Sequence, residues 1–152
     1  MNYNFKVTGV TTMFMDEGMD TGDILETVEV QIGEEETAEE LFDRLAVISA
    51  DLMVSTIRKL EKEEITPKPQ NHDKATYAPI IKKEMALIDF NKTATEVHNA
   101  IRGYYSWPCA YLFRKGKRIK VISARVGDST DAPANTVIGN GEEIVVDLRR
   151  WI

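Results

Sequence analysis

The chain has 152 residues, 43% apolar and 29% charged, enough for one average domain or two small ones. It contains no apolar run of the roughly eighteen residues a membrane helix needs, no signal-peptide core in its opening MNYNFKVTGV, and one cysteine, which points to a reduced, cytoplasmic protein. The formal net charge of −6 is unevenly spread: residues 1 to 65 hold 5 Lys/Arg against 16 Asp/Glu, whereas residues 80 to 125 hold 10 against 3.

The first apolar run, Val10 to Met15, reads as a strand, and the turn-rich DEGMDTGD after it reads as a loop. From Ile24 to Ile32, Val28, Val30 and Ile32 alternate with Glu29 and Gln31, the period of a strand with one covered face. Thr37 and Glu40 form a capping box, and Leu41, Leu45, Ile48, Leu52, Ile57 and Leu60 recur at helical spacing, predicting an amphipathic helix to about Lys62. Residues 64 to 79 carry three prolines without periodicity and read as an extended link. An apolar stretch from Ile80 to Phe90 follows, then a second capping box, Thr93 with Glu96. That box opens a short helix whose Val97, Ala100 and Ile101 face inward and which Gly103 ends in the left-handed conformation. Short strands are expected at Ala110 to Phe113, Ile119 to Val126, Thr136 to Ile138 and Glu143 to Leu148, a spacing that suits a small barrel.

The densest polar loop, Asp16 to Asp23, packs three Asp, one Glu and two Gly between apolar strands. Such carboxylates can bind a cation or raise one another's pKa until one serves as a general base, or they can simply satisfy turn geometry. The spacing of an EF-hand is absent. His72 falls in the proline-rich link and reads as solvated. His98 falls within the second helix, and Cys109 reads as a small core residue. There is no GxSxG, CxxC, HExxH or phosphate-binding glycine loop, so serine-hydrolase and metal-centred chemistry find no support. The contrast in charge implies two modules with different partners, with a nucleic acid the natural one for the basic half.

Four stretches together carry a family resemblance: GVTTMFMDEGMDTGDIL at 9 to 25, the capped helix followed by PKPQ, ATYAPIIKKEMALIDF at 75 to 90, and IRGYYSWPCAYLF at 101 to 113. They resemble the methionyl-tRNA formyltransferase family over residues 6 to about 140. The resemblance implies an α/β part followed by a β part: the C-terminal remnant of a Rossmann-like formyltransferase domain over 1 to 65, a linker over 66 to 79, and a truncated, OB-like β-barrel over 80 to 152.

It further implies formyl transfer from 10-formyltetrahydrofolate to the methionyl amine of initiator tRNA, without a metal. In the family an Asn, a His and an Asp surround the formyl carbon, and the Asp corresponds to Asp20. The loop Asp16, Glu17, Gly18, Met19 and Asp20 would hold the pterin ring. The Asn-x-His pair and SLLP loop of the family's N-terminal half have no counterpart here, so the chain is expected to be impaired by itself. The two strands and one helix of residues 1 to 65 are also expected to be loosely folded, or to associate through an open sheet with a second copy or a separate N-terminal piece.

The basic residues Lys82, Lys83, Arg102, Arg114, Lys115, Lys117, Arg118 and Lys120 would form the tRNA phosphate footprint, the last five on a hairpin turned at Gly116. Trp107 and Pro108 read as a packing corner. Two other readings are a tRNA-binding module without chemistry and a formyltransferase acting on another amine, such as an amino sugar.

Overall fold

The computed structural model describes residues 5–127, 137–139 and 144–146, the last two as backbone. The chain folds as two compact units, Phe5–Ile80 and Ile81–Ile152.

In the first unit β1 (Val7–Met13) pairs antiparallel with β2 (Ile24–Gln31), and α1 (Ala38–Glu61) packs on the pair. β1 begins three residues before the expected Val10, because the eight residues of β2 supply partners back to Val7↔Gln31 and Ile32 adds a further bond to the Lys6 carbonyl. Gly9, in the middle of β1, hides that extension from an apolar count. A register shift at Thr12/Met13 ends the strand before Met15.

The capping box at Thr37 forms as expected: Thr37 Oγ1 accepts from the Glu40 amide and the Glu40 carboxylate accepts from the Thr37 amide. Arg44 then ties the helix start to the sheet, with a bidentate pair to Glu36 at 2.8 Å and a bond to the Gln31 carbonyl at 2.7 Å.

The inward stripe of α1 departs from expectation at one position. Ile57 is exposed, and Thr56 takes its place, 1% exposed. Its hydroxyl lies 2.9 Å from Thr12 Oγ1 and 2.8 Å from a Glu26 carboxylate oxygen, while Lys59 pairs with the other oxygen of Glu26. A polar chain thus runs from β1 through α1 to β2, in a place where an apolar side chain would leave the Thr12 hydroxyl without this partner. Hydrogen bonds from Lys59 and Thr56 hold the Glu26 carboxyl below its ordinary pKa.

The second unit has a 3-10 turn at Lys83–Ala86 and α2 (Ala94–Gly103), which begins at the predicted Thr93/Glu96 box. Gly103 does not adopt the left-handed conformation expected of it. The helix runs through it to a Tyr104 cap with φ −101°, whose amide still bonds the Ala100 carbonyl, so no reversal is required there. Ala86, Tyr104 and Tyr111 form one apolar cluster, and Ile88, Ile101 and Ala110 another. Cys109 is buried, as expected, with Sγ 2.9 Å from the Ser106 carbonyl. Trp107 contradicts the packing-corner expectation: it is 59% exposed, and Pro108 alone is buried. Tyr104 and Tyr111 fill the core that Trp107 was expected to supply.

β3 (Tyr111–Arg114) pairs with β4 (Lys117–Lys120), and β5 (Val137–Gly139) with β6 (Ile144–Val146). Among the described residues these remain separate two-stranded sheets and do not close into a barrel. The strand expected over Ile119 to Val126 ends at Lys120, with one further bond from the Val121 amide to Ala110. Thr136, Glu143, Asp147 and Leu148, assigned to strands above, lie outside the described residues.

Candidate active site and basic hairpin

The loop between β1 and β2 is built from local hydrogen bonds. Asp16 Oδ1 accepts from the Gly18 amide at 2.9 Å and from Thr21 Oγ1 at 2.5 Å, closing the turn upon itself. These bonds, the Thr21 one foremost, hold the Asp16 carboxyl below its ordinary value, so it is an anion committed to loop structure. Gly22 is buried, and a Cβ there would fall 1.8 Å from the Phe14 carbonyl oxygen. The chain can make this crossing only without a side chain. The Phe14 amide bonds the Asp23 carbonyl at 3.0 Å, which closes the base of the loop.

Asp20 sits at the exposed tip with φ 56°, a left-handed conformation that Asp tolerates better than most residues. What fixes it comes from far along the chain. The Gln70 side-chain amide donates to the Asp20 carbonyl at 2.9 Å and to the Gly22 carbonyl at 2.7 Å. Lys68, two residues earlier, exchanges both backbone bonds with Ile24, at 2.8 and 2.9 Å. The PKPQ segment is therefore a strap bonded to β2 and to the loop, where proline content alone indicated an extended link. Asp20 keeps its carboxylate without a hydrogen bond from the described residues. Glu17 and Met19 are exposed beside it.

Gln70 is the residue that sequence reasoning missed. Its signal is the PKPQ string, but a bond spanning fifty positions leaves no periodicity. Among the described residues no three His, Cys, Asp or Glu side chains gather as metal ligands, and no helix is long and apolar enough to cross a membrane.

In the second unit the β3–β4 turn has Lys115 at φ 49° and Gly116 at φ 73°, the two left-handed residues of a tight hairpin. Alternation places Tyr111, Phe113, Arg118 and Lys120 on one face and Arg114 with Lys117 on the other. Tyr111 and Phe113 meet edge to face at 5.7 Å, and the Arg118 guanidinium carbon lies 3.8 Å from the Tyr111 ring centre, which fixes its direction. Arg114, Lys115, Lys117 and Lys120 are exposed around the tip, and Lys82 and Lys83 are exposed at the 3-10 turn. Arg102 is half-buried and donates to Asn99 at 3.0 Å, so it is the least available of the eight cations.

Comparison with known proteins assigns both units. The family described as formyl transferase matches residues 4–57, and the formyl transferase C-terminal domain matches residues 80–150. A methionyl-tRNA formyltransferase from Thermodesulfovibrio yellowstonii is 46% identical over 140 residues, covering 92% of this chain and 45% of its own length. An N-formyltransferase from Helicobacter canadensis, solved with folinic acid and dTDP-3-aminofucose, superposes with a TM-score of 0.76 at 22% identity, over 94% of this chain and 52% of its own. The methionyl-tRNA formyltransferase from Clostridium thermocellum gives 0.61 at 23%, over 95% and 56%. The chain thus spans under half the length of the curated relatives it matches. With matches to the family's N-terminal and C-terminal parts that follow one another in order, the chain belongs to the formyl transferase family.

Proposed function

We propose that the chain contributes to formyl transfer from 10-formyltetrahydrofolate to the methionyl amine of initiator tRNA in the cytoplasm. The first unit supplies Asp20, and the second, the family's C-terminal domain, supplies the tRNA contacts. The supporting observation is the Asp20 tip: its backbone is clamped by Gln70, its loop is closed by Asp16, and its exposed carboxylate is uncommitted. A carboxylate preset in this way can orient an imidazole or hold a water that carries protons to and from the attacking amine, without reorganising during the step.

Loop residues 16 to 20 face the pterin of the donor, partly through backbone groups. The hairpin cations Arg114, Lys115, Lys117, Arg118 and Lys120, with Lys82, Lys83 and Arg102, take the tRNA phosphates, and the two antiparallel pairs of the second unit belong to an OB-like barrel. The relatives named for methionyl-tRNA, at 40–47% identity, favour that acceptor over an amino sugar, the substrate class named for structural neighbours at 21–22% identity.

The test is a radiolabelled formyl-transfer assay with 10-formyltetrahydrofolate and charged initiator tRNA, run beside a salt titration of tRNA binding. Asp20→Asn should lower any transfer by roughly a hundredfold or more. Lys117→Ala should weaken tRNA binding and reduce the slope against salt by about one. Unchanged transfer in Asp20→Asn, with binding that still falls in Lys117→Ala, would leave a tRNA-gripping module without chemistry.

A further inference from the structure

Asp20 holds a left-handed backbone at an exposed loop tip, a conformation that a residue with a Cβ keeps only where its surroundings enforce it. The loop's own bonds do not enforce it. Asp16 accepts from Gly18 and Thr21, and Phe14 bonds Asp23, whereas among the described residues the single hydrogen bond made by Asp20 is the one its carbonyl accepts from Gln70. The same Gln70 nitrogen donates to the Gly22 carbonyl, so its two hydrogens fix the peptide planes after Asp20 and after Gly22.

The sequence around Gln70 delivers that donor to its place. Pro67 and Pro69 flank Lys68, and a residue before proline is pushed to extended backbone, the form Lys68 needs for its two bonds with Ile24. Pro69 then leads into Gln70 with its own φ fixed. The amide end therefore reaches the loop from a strap that is itself bonded to β2, and Met13 Sδ of β1 lies 3.6 Å from the same nitrogen.

We infer that Gln70 is a positioning residue for formyl transfer, fixing the direction of the Asp20 carboxylate through the backbone that bears it. The inference rests on the reading that Asp20 takes part in the step, and adds that a side chain fifty positions on sets how well it does so. Without the clamp the tip can leave its left-handed conformation, and the carboxylate spends less time in the productive direction. The cost then falls on kcat and spares tRNA binding, whose proposed cations lie in the second unit.

The experiment uses Gln70→Met, which keeps the length of the side chain and removes its donor. Formyl transfer is measured for the protein, Gln70→Met, Asp20→Asn and the double variant, and amide exchange at Phe14 and Gly18 is read by nuclear magnetic resonance. Gln70→Met should lower kcat roughly tenfold or more with the KM for tRNA unchanged, and should lower it no further once Asp20 is Asn. Exchange at both amides should quicken, because the bonds they make close the same loop. Thr37→Ala separates positioning from stability: it should lower the thermal midpoint and leave kcat as it was. Transfer lowered by Asp20→Asn and untouched by Gln70→Met overturns the inference and leaves the role of Asp20 standing. A further loss in the double variant, or unchanged exchange at Phe14 and Gly18, overturns it as well, and transfer indifferent to Asp20→Asn removes the reading beneath it.

Discussion

The two units solve the same problem with different means. In Ile81–Ile152 the described core is mainly apolar: Ala86, Ile88, Ile101, Tyr104, Ala110 and Tyr111 are buried, together with the polar His98. In Phe5–Ile80 only Val30 and Leu52 are buried apolar residues, two more buried positions are the hydrogen-bonded Thr12 and Thr56, and Phe42, Val47, Met53, Val54 and Ile57 face outward. A helix of twenty-four residues over two strands has more apolar surface than the strands can cover. The first unit therefore depends on caps, a polar chain and the Gln70 strap for its shape.

Several substitutions would sharpen or break this contrast. The largest effect should be Tyr104→Ala, which empties the centre of the second unit and should cost about 3–5 kcal/mol, read as a lowered denaturation midpoint. Thr56→Val should cost about 1–3 kcal/mol, because Thr12 and Glu26 lose their shared partner; a neutral result would mean that apolar packing, and not the polar chain, joins α1 to the sheet. Thr37→Ala and Thr93→Ala should each cost about 1 kcal/mol, nearly alike in the two units because the caps are alike. Phe42→Ala and Ile57→Ala should change stability by less than about 0.5 kcal/mol, since side chains in water contribute little to the isolated fold.

Acid gives a further comparison. Lys59 and Thr56 lower the pKa of Glu26, and Thr37 and Thr93 lower those of Glu40 and Glu96. A depressed folded pKa means the unfolded chain takes up protons first. The stabilisation is present above the ordinary carboxylate pKa of about 4 and is lost as the pH falls through the lower folded values. Both units should lose stability in that window, and Glu26→Gln should flatten the response of the first unit in a pH series of thermal midpoints.

What could be read from sequence was local. Both helix starts, the hairpin at Lys115–Gly116 and the core role of Cys109 rest on interactions spanning a few residues, and each was visible as a pattern. Thr56 escaped because a threonine in a helix reads as polar surface, and its partners are 30 and 44 positions away. Gln70 escaped for the same reason, although it supplies the clamp on Asp20. Trp107 escaped because its size predicts burial, and two tyrosines had already filled the core. Asp20 was singled out by resemblance, but its left-handed backbone and the strap that holds it are visible only in the fold.

The most direct measurement is radiolabelled formyl transfer from 10-formyltetrahydrofolate to initiator tRNA by the protein and by its Asp20→Asn variant. A clamped carboxylate that takes part in the step predicts transfer that falls roughly a hundredfold or more in Asp20→Asn. Transfer unchanged with Asn at position 20 would contradict it.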